Sequence, residues 1–481
     1  MDATEDTTQD THQDTHQDTT RADLDAVLAA AHAAARPLAR TAPGERADAL
    51  EAVARALEGA RADLVALAAE ETHLPQARLE GELTRTVFQA RLFAAGLRDG
   101  SLLPTRVDHA DPDWGMGPRP DLRRTVVPIG PVLVFAASNF PFAFSVFGGD
   151  SVSALAAGCP VVVKAHPGHP RLSLATARQV TAALAAVGLP EGAFALIEGV
   201  EASKTALTDR RVRAAGFTGS VHGGRALFDL AVSRPDPIPF HGELGSVNPV
   251  VVTPAAWAER GADVATGWVG SLTLGAGQFC TNPGVVLVPD VDAFTSAVEL
   301  PVPGPMLHPG IVEGFGAATS DLGSQPGVRT AVEGAAGPDG VAAQVFAVSA
   351  ADVVANPHLL ELEAFGPAGL VVGYSGEDEL RDVLDVLPGQ LTGTVQAGAD
   401  DPLAAEVAAL LAEHVGRVVW NDWPTGVTVS AAQQHGGPWP ATTTPTTTSV
   451  GTAAITRWQR PVAFQGFPAT ALPDELKDRT P

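Results

Sequence analysis

The chain is short of positive charge, of cysteine and of long apolar runs. Lys and Arg number 31 against 55 Asp and Glu, a net charge of -24 over 481 residues. So acidic a chain repels phosphate backbones, which argues against nucleic acid as a partner. An anionic small molecule must be received by local cations rather than by the global field. Cys159 and Cys280 are the 2 cysteines, too few for a disulfide framework or a four-thiolate metal centre. No metal site is expected, and a reducing, cytoplasmic setting fits the thiols best. No apolar run approaches the roughly 18 residues of a membrane span, so no membrane partner is expected. The opening MDATEDTTQD holds no basic and no apolar stretch, so no targeting segment is expected there. No strand is followed by G-x-G-x-x-G, the usual dinucleotide fingerprint, and no solenoid period is present.

The length suits two or three domains. Residues 1–20 repeat TTQD and THQD units and predict a disordered acidic tail, in which His12 and His16 read as solvated rather than metal-binding. From Ala22 to Leu97 apolar residues recur at three and four (Leu50, Val53, Leu57, then Leu64, Leu67), the spacing of helices, with Pro43-Gly44-Glu45 as a helix start. Residues 104–124 read as a loop or exposed hairpin. After Thr125 short apolar strands (132–137, 160–164, 194–197, 212–217) alternate with helices (145–158, 172–187, 220–232). That alternation predicts a parallel sheet in a doubly wound α/β domain. From Glu243 it resumes: strands at 249–253, 285–288 and 417–420 and helices at 263–274 and 403–415 predict a second α/β domain. TTTPTTT (442–448) reads as a loop and 453–464 as a late edge strand.

Four segments can carry chemistry. Gly277-Gln278-Phe279-Cys280-Thr281 sets a cysteine after a Gly-rich approach at a helix end. A thiol nucleophile there has to be exposed and partly ionised, helped by nearby backbone N–H groups. Cys159, at the start of an apolar strand, reads as structural. Glu243 lies between glycines at a strand end, which lets backbone approach a ligand and partly desolvates the carboxylate. Asn139 follows the strand 132–137, at the kind of strand end where α/β folds bind ligands, and its amide can donate to an oxyanion. Phe217-Thr218-Gly219-Ser220 joins a strand to a helix whose N-terminus suits a pyrophosphate, with Ser220 also a plain N-cap. Lys164 ends a buried strand, an odd place for a charge unless it meets a ligand.

VVPIGPVLVFAASNFPF, PVVVKAHPGHP, GFTGS, GELGSVNP, GQFCTNPG and EAFGP occur here in the order and spacing of the aldehyde dehydrogenase superfamily, and the resemblance covers about residues 22–468. HGGPWPA at 435–441 and SVGTAAI resemble the α-ketoglutaric semialdehyde dehydrogenase branch, near relatives of NADP-dependent fatty aldehyde dehydrogenases. The resemblance implies an α/β fold of two doubly wound domains, cofactor-binding (21–242) and catalytic (243–452). It also implies an oligomerisation element from 104–124 and 453–481, in a homodimer or homotetramer. It implies Cys280 as nucleophile, Glu243 as the base that activates water, Asn139 as oxyanion donor and His435 as a histidine near the thiol. Lys164 would bind the adenosine ribose, Gly219 and Ser220 the pyrophosphate, and Glu363 the nicotinamide ribose, with Phe365 beside it. Many NAD-preferring members carry a Glu where Pro167 stands. With no carboxylate there, and His166 able to donate to a 2′-phosphate, NADP is the expected cofactor, with NAD possible.

The implied reaction is oxidation of an aldehyde to a carboxylate through a thiohemiacetal and a thioester, with 2-oxoglutarate semialdehyde as the substrate. No Lys or Arg lies between Asn139 and Ser151 or between Ser271 and Val288. The lining there is apolar (Phe140, Phe142, Phe144, Phe147, Phe279), which favours medium-chain or fatty aldehydes unless Arg457 or Arg460 arrives from elsewhere. A CoA-acylating enzyme or a catalytically silent family member are further alternatives.

Overall fold

The computed structural model describes residues 18–478; most of the predicted tail lies outside the described residues. Thr19 and Thr20, assigned to that tail by composition, are tied into the fold. Glu198 and Thr19 exchange hydrogen bonds of 3.1 and 2.8 Å, and Thr20 caps the helix Arg21–Arg40.

Three more helices follow, Pro43–Gly59, Arg61–Thr72 and Gln76–Asp99. Leu50, Val53, Leu57 and Leu64 are buried with Leu83, Val87 and Phe93 in one core, as their spacing predicts. On the last helix Glu82 is buried and accepts from the N–H groups of Phe142 and Ala143 at 2.8 and 2.9 Å. That contact pins the helix to the loop after the strand Val132–Phe135.

The first sheet has five parallel strands in the order Phe194–Ile197, Val161–Lys164, Val132–Phe135, Ala214–Thr218, Phe240–Glu243. The chain builds outward in one direction from Val132–Phe135 and then in the other. The crevice beyond Val132–Phe135 and Ala214–Thr218 is therefore the topological switch point where such folds bind ligands. The second sheet has seven strands: Arg329–Ala336, Ala342–Ser349, Ala368–Gly373, Val285–Val288, Val250–Val252, Gln390–Gln396 and Val415–Trp420. All pair in parallel except the first two. These are the two α/β units of the expected fold.

A third, three-stranded antiparallel sheet joins Arg106–Asp108, Leu122–Pro128 and Gln459–Gln465, so residues 104–124 contain the hairpin alternative. The expected strand over 453–464 is half corrected: Thr452–Trp458 is a 3₁₀ turn, and the strand begins only at Gln459. Ala454, Ile455 and Trp458 all turn inward, a spacing of one turn rather than of a pleat. TTTPTTT is irregular, as read, but it is not a free surface loop. Thr443 donates to the Phe240 carbonyl at 2.6 Å and accepts from Gly242 N–H at 2.8 Å, which packs the stretch against the strand that ends in Glu243.

Candidate active site

Cys280 sits beyond the helix Pro254–Thr273 and a short turn, Leu274–Gly277. Gly277 has φ +69°, and a Cβ there would lie 2.2 Å from the Gly366 carbonyl, so only glycine lets the two loops touch. Two asparagines lock the loop. Asn248 donates to the carbonyls of Cys280 and Asn282, each at 2.9 Å, and Asn282 donates to those of Gly277 and Gly366, each at 2.9 Å. Asn139 reaches the same loop, its Nδ2 donating to the Gln278 carbonyl at 3.2 Å.

The thiol is half-buried, and burial, with Glu243 and Glu363 nearby, pushes its pKa up to about 12. This corrects the expectation of a partly ionised thiol: at neutral pH it keeps its proton and needs a base. The ring of His435 lies beside the thiol, with Nε2 3.5 Å from Sγ. The ring is fully enclosed and burial lowers its pKa, so it is neutral. The same Nε2 lies 3.7 Å from Glu243 Oε2. Glu243, buried as well, accepts at Oε1 from Ser449 N–H and from Arg457 Nη2, both at 3.1 Å. Arg457 Nη1 in turn meets Asp150 Oδ1 at 3.1 Å. A continuous line thus runs Cys280–His435–Glu243–Arg457–Asp150.

Five of the dinucleotide candidates, His166, Gly219, Ser220, Glu363 and Phe365, line one cavity of about 420 Å³. Its wall also includes Asn139 and Cys280. Ser220 caps the helix Val221–Val232, accepting from Gly223 N–H at 3.2 Å, which is the N-cap reading of this residue. Burial pushes the Glu363 carboxyl up to about 7. A Cβ on Gly245 would fall 2.4 Å from Glu363 Oε2, so this glycine makes room for the carboxylate. A recess nearby holds Lys164, His166 and Pro167 together with Asp18, Glu198 and Glu201. His166 Nδ1 accepts from Gly168 N–H at 3.0 Å. Burial, His169, Lys164 and His308 push its pKa down to about 2, leaving a neutral ring that can donate only through Nε2. His308, a cavity residue that no motif singles out, lies 5.7 Å from His166, ring to ring.

The aromatic set divides. Phe142 and Phe147 belong to the core. Phe140, Phe144 and Phe279 contact one another in series, at 5.5 and 5.3 Å between ring centres, and carry cations. Arg78 lies over Phe140 and Phe279, and Arg85 over Phe144. Arg457 does arrive from the C-terminal segment, but its charge is taken by Glu243 and Asp150; Arg460 stays exposed on the edge strand. Arg78, Arg85 and Arg417 escape a search of the segments flanking the thiol because a helix and a strand remote in sequence deliver them. Cys159 is buried at 0% exposure, donating to the Trp458 carbonyl at 3.3 Å, as its structural reading requires.

The profile of the aldehyde dehydrogenase family matches residues 1–300. The chain is 47% identical over 448 residues to alpha-ketoglutaric semialdehyde dehydrogenase 2 of Azospirillum brasilense, covering 91% of this chain and 85% of that one. It is 42% identical over 452 residues to alpha-ketoglutaric semialdehyde dehydrogenase of Acinetobacter baylyi, covering 92% and 86%. The chain belongs to the aldehyde dehydrogenase family. It is an NAD(P)-dependent oxidoreductase. Among solved structures, succinic semialdehyde dehydrogenase from Streptococcus pyogenes, in complex with NADP+, superposes with a TM-score of 0.77 at 19% identity, covering 94% of this chain and 96% of that one. Proline utilization A superposes at 0.78 and 24% identity over 93% of this chain, which spans 45% of that longer one. At these identities the structures speak for the fold alone. Among the described residues no helix is long and apolar enough to cross a membrane, and no cluster could hold a metal ion.

Proposed function

We propose that the chain oxidises 2-oxoglutarate semialdehyde to 2-oxoglutarate, with Cys280 as nucleophile. The observation that carries the chemistry is the line Sγ–Nε2–Oε2, with steps of 3.5 and 3.7 Å, which starts from Cys280 in the wall of the cavity. The substrate follows from the two semialdehyde-oxidising relatives. His435 Nε2 takes the thiol proton, and Glu243 stabilises the imidazolium that results. The thiolate attacks the aldehyde carbon. Asn139 Nδ2 leaves the Gln278 carbonyl and, with Cys280 N–H, receives the oxyanion. A nicotinamide held beside Cys280 would supply the hydride acceptor, and loss of hydride from the thiohemiacetal would leave a thioester on Cys280. Glu243, through His435 or directly, then takes a proton from the water that releases the carboxylate.

The residues present suit the cofactor. Glu363, beside Gly245, would hold the nicotinamide ribose with Phe365 flanking it, Gly219 and Ser220 the pyrophosphate, and Lys164 the adenosine ribose. NADP is the proposed cofactor, since Lys164 and His166 Nε2 offer donors to a 2′-phosphate and Pro167 offers no carboxylate. Asp18, Glu198 and Glu201 in the same recess oppose that charge and hold the preference to a modest ratio. Residues 21–242 would form the cofactor-binding unit and 243–452 the catalytic one. The three-stranded sheet, whose strand Gln459–Gln465 pairs on one side only, would join copies into a homodimer or homotetramer. The free thiol suits the cytoplasm.

The test is reduced-nicotinamide absorbance with a panel of aldehydes, with NADP or NAD, with and without CoA. Turnover that needs CoA overturns hydrolysis, and a specificity constant tenfold higher for NAD overturns the cofactor choice. Glu243→Gln is expected to give one burst of reduced cofactor and then stall as the thioester. Loss of the burst itself would move Glu243 out of deacylation.

A further inference from the structure

The helix Gln76–Asp99 brings cations to a site whose flanking segments have none. Arg78, Glu82 and Arg85 stand at i, i+4 and i+7 and share one face. Arg78 is a structural prop: Nη2 donates to the Asn139 carbonyl at 2.8 Å, and the guanidinium lies 4.9 Å from the Phe279 ring centre and 5.3 Å from that of Phe140. Arg417, on the strand Val415–Trp420, is occupied by the carbonyls of Gly426 and Pro424 and by the Thr392 hydroxyl.

Arg85 differs. Among the described residues its side chain makes no hydrogen bond and no ion pair. Its guanidinium lies 5.4 Å from the centre of the Phe144 ring. That ring meets His435 at 6.3 Å, and His435 touches the thiol. Two rings, Phe144 and His435, thus stand in line between Arg85 and the reacting sulfur, and Cys280 and His435 both feel its charge. The carboxylate facing it is Glu82, whose Oε1 is spent on Phe142 and Ala143 and whose pKa burial raises, so it neutralises Arg85 poorly. A half-buried guanidinium without a carboxylate is costly to keep, and its planar fork of N–H donors matches a carboxylate in two-point contact.

We propose that Arg85 is the specificity-determining residue that binds the distal carboxylate of a short acidic aldehyde, with Phe144 setting the distance between that carboxylate and the carbon attacked by Cys280. The proposal rests on the acidic-aldehyde reading above and adds the group that recognises the acid.

The test compares kcat/KM for 2-oxoglutarate semialdehyde and for hexanal in the wild type, Arg85→Met and Arg85→Lys. Arg85→Met is expected to lose about 100-fold on the semialdehyde, mostly in KM, equivalent to about 2.7 kcal/mol. Hexanal should stay within about threefold, and Arg85→Lys should recover part of the loss, as a point charge replaces a fork. Equal losses on both aldehydes, or no loss on the acidic one, overturn the proposal. A second measurement is independent of turnover: glutarate should slow alkylation of wild-type Cys280 by iodoacetamide and should not do so in Arg85→Met. Absence of protection in the wild type overturns the anion site. Protection together with a wild-type preference for hexanal keeps the anion site and sinks the substrate reading instead.

Discussion

Cys280 holds its proton more tightly than a free thiol, because burial and two carboxylates, Glu243 and Glu363, act in the same direction. Below such a pKa the thiolate fraction rises tenfold per pH unit. Iodoacetamide inactivation of the cofactor-free enzyme should therefore climb steadily from pH 7 to beyond pH 10; a plateau near the ordinary thiol value of about 8.5 would contradict this environment. One equivalent of reagent per chain is expected, since Cys159 is fully enclosed at 0% exposure and out of the reagent's reach whereas Cys280 is only half-buried. Arg457 is the other decisive residue. It is enclosed between Glu243 and Asp150, and Arg457→Met leaves both carboxylates buried without a counter-charge. A loss of about 3–5 kcal/mol in denaturant unfolding is expected at pH 7.5. Unpaired buried carboxylates have folded-state pKa values above their unfolded ones. The folded variant therefore holds extra protons between those values, and its stability falls as pH rises through that window. The deficit should shrink on going to pH 5; a deficit that is constant with pH would mean that the arginine acts by packing alone.

At the scale of elements, the nucleophile loop depends on two close approaches that side-chain chemistry alone does not announce. Gly277→Ala would force a Cβ into the Gly366 carbonyl at a positive φ, so the Cys280 and Glu363 loops must part. A loss of at least about 1–3 kcal/mol of stability is expected, with kcat falling more than KM as the thiol moves from Asn139. Unchanged kcat would show that the loops tolerate separation. What the sequence made readable follows the same division. Periodic helices and short apolar strands were legible because burial repeats at a fixed spacing: Phe194–Ile197 and Val285–Val288 have the bounds that their apolar runs suggest. The strand Arg329–Ala336 went unread because it is an exposed edge with little apolar alternation. Residues 453–458 were misread because they run without a break into the true strand Gln459–Gln465, whose alternation was extended back over the turn. Cys280, Glu243, Asn139 and His435 could be named from motifs. Arg85 and His308 could not, and Arg457 could be named but not placed, because tertiary packing alone carries a residue of one segment to the chemistry of another.

For the whole molecule, the net charge of -24 and the local cation near Cys280 act on an anionic aldehyde in opposite directions and over different ranges. The surface repulsion is long-ranged and solvent-screened, with a Debye length of about 30 Å at 10 mM salt and about 10 Å at 100 mM. The contact with Arg85 is short and partly shielded from water, so salt weakens it much less. Raising ionic strength over that interval at saturating cofactor should therefore raise kcat/KM for the acidic semialdehyde by roughly two- to fivefold, as the repulsive field collapses first. Hexanal carries no charge, and its kcat/KM should stay flat. Arg85→Met should keep the salt-dependent rise from a lower starting value, since the acidic surface is unchanged by it. A fall with salt for the semialdehyde in the wild type would mean that attraction at the mouth of the site outweighs the acidic surface even at long range, and would place more unpaired cations along the approach than the arginines named here.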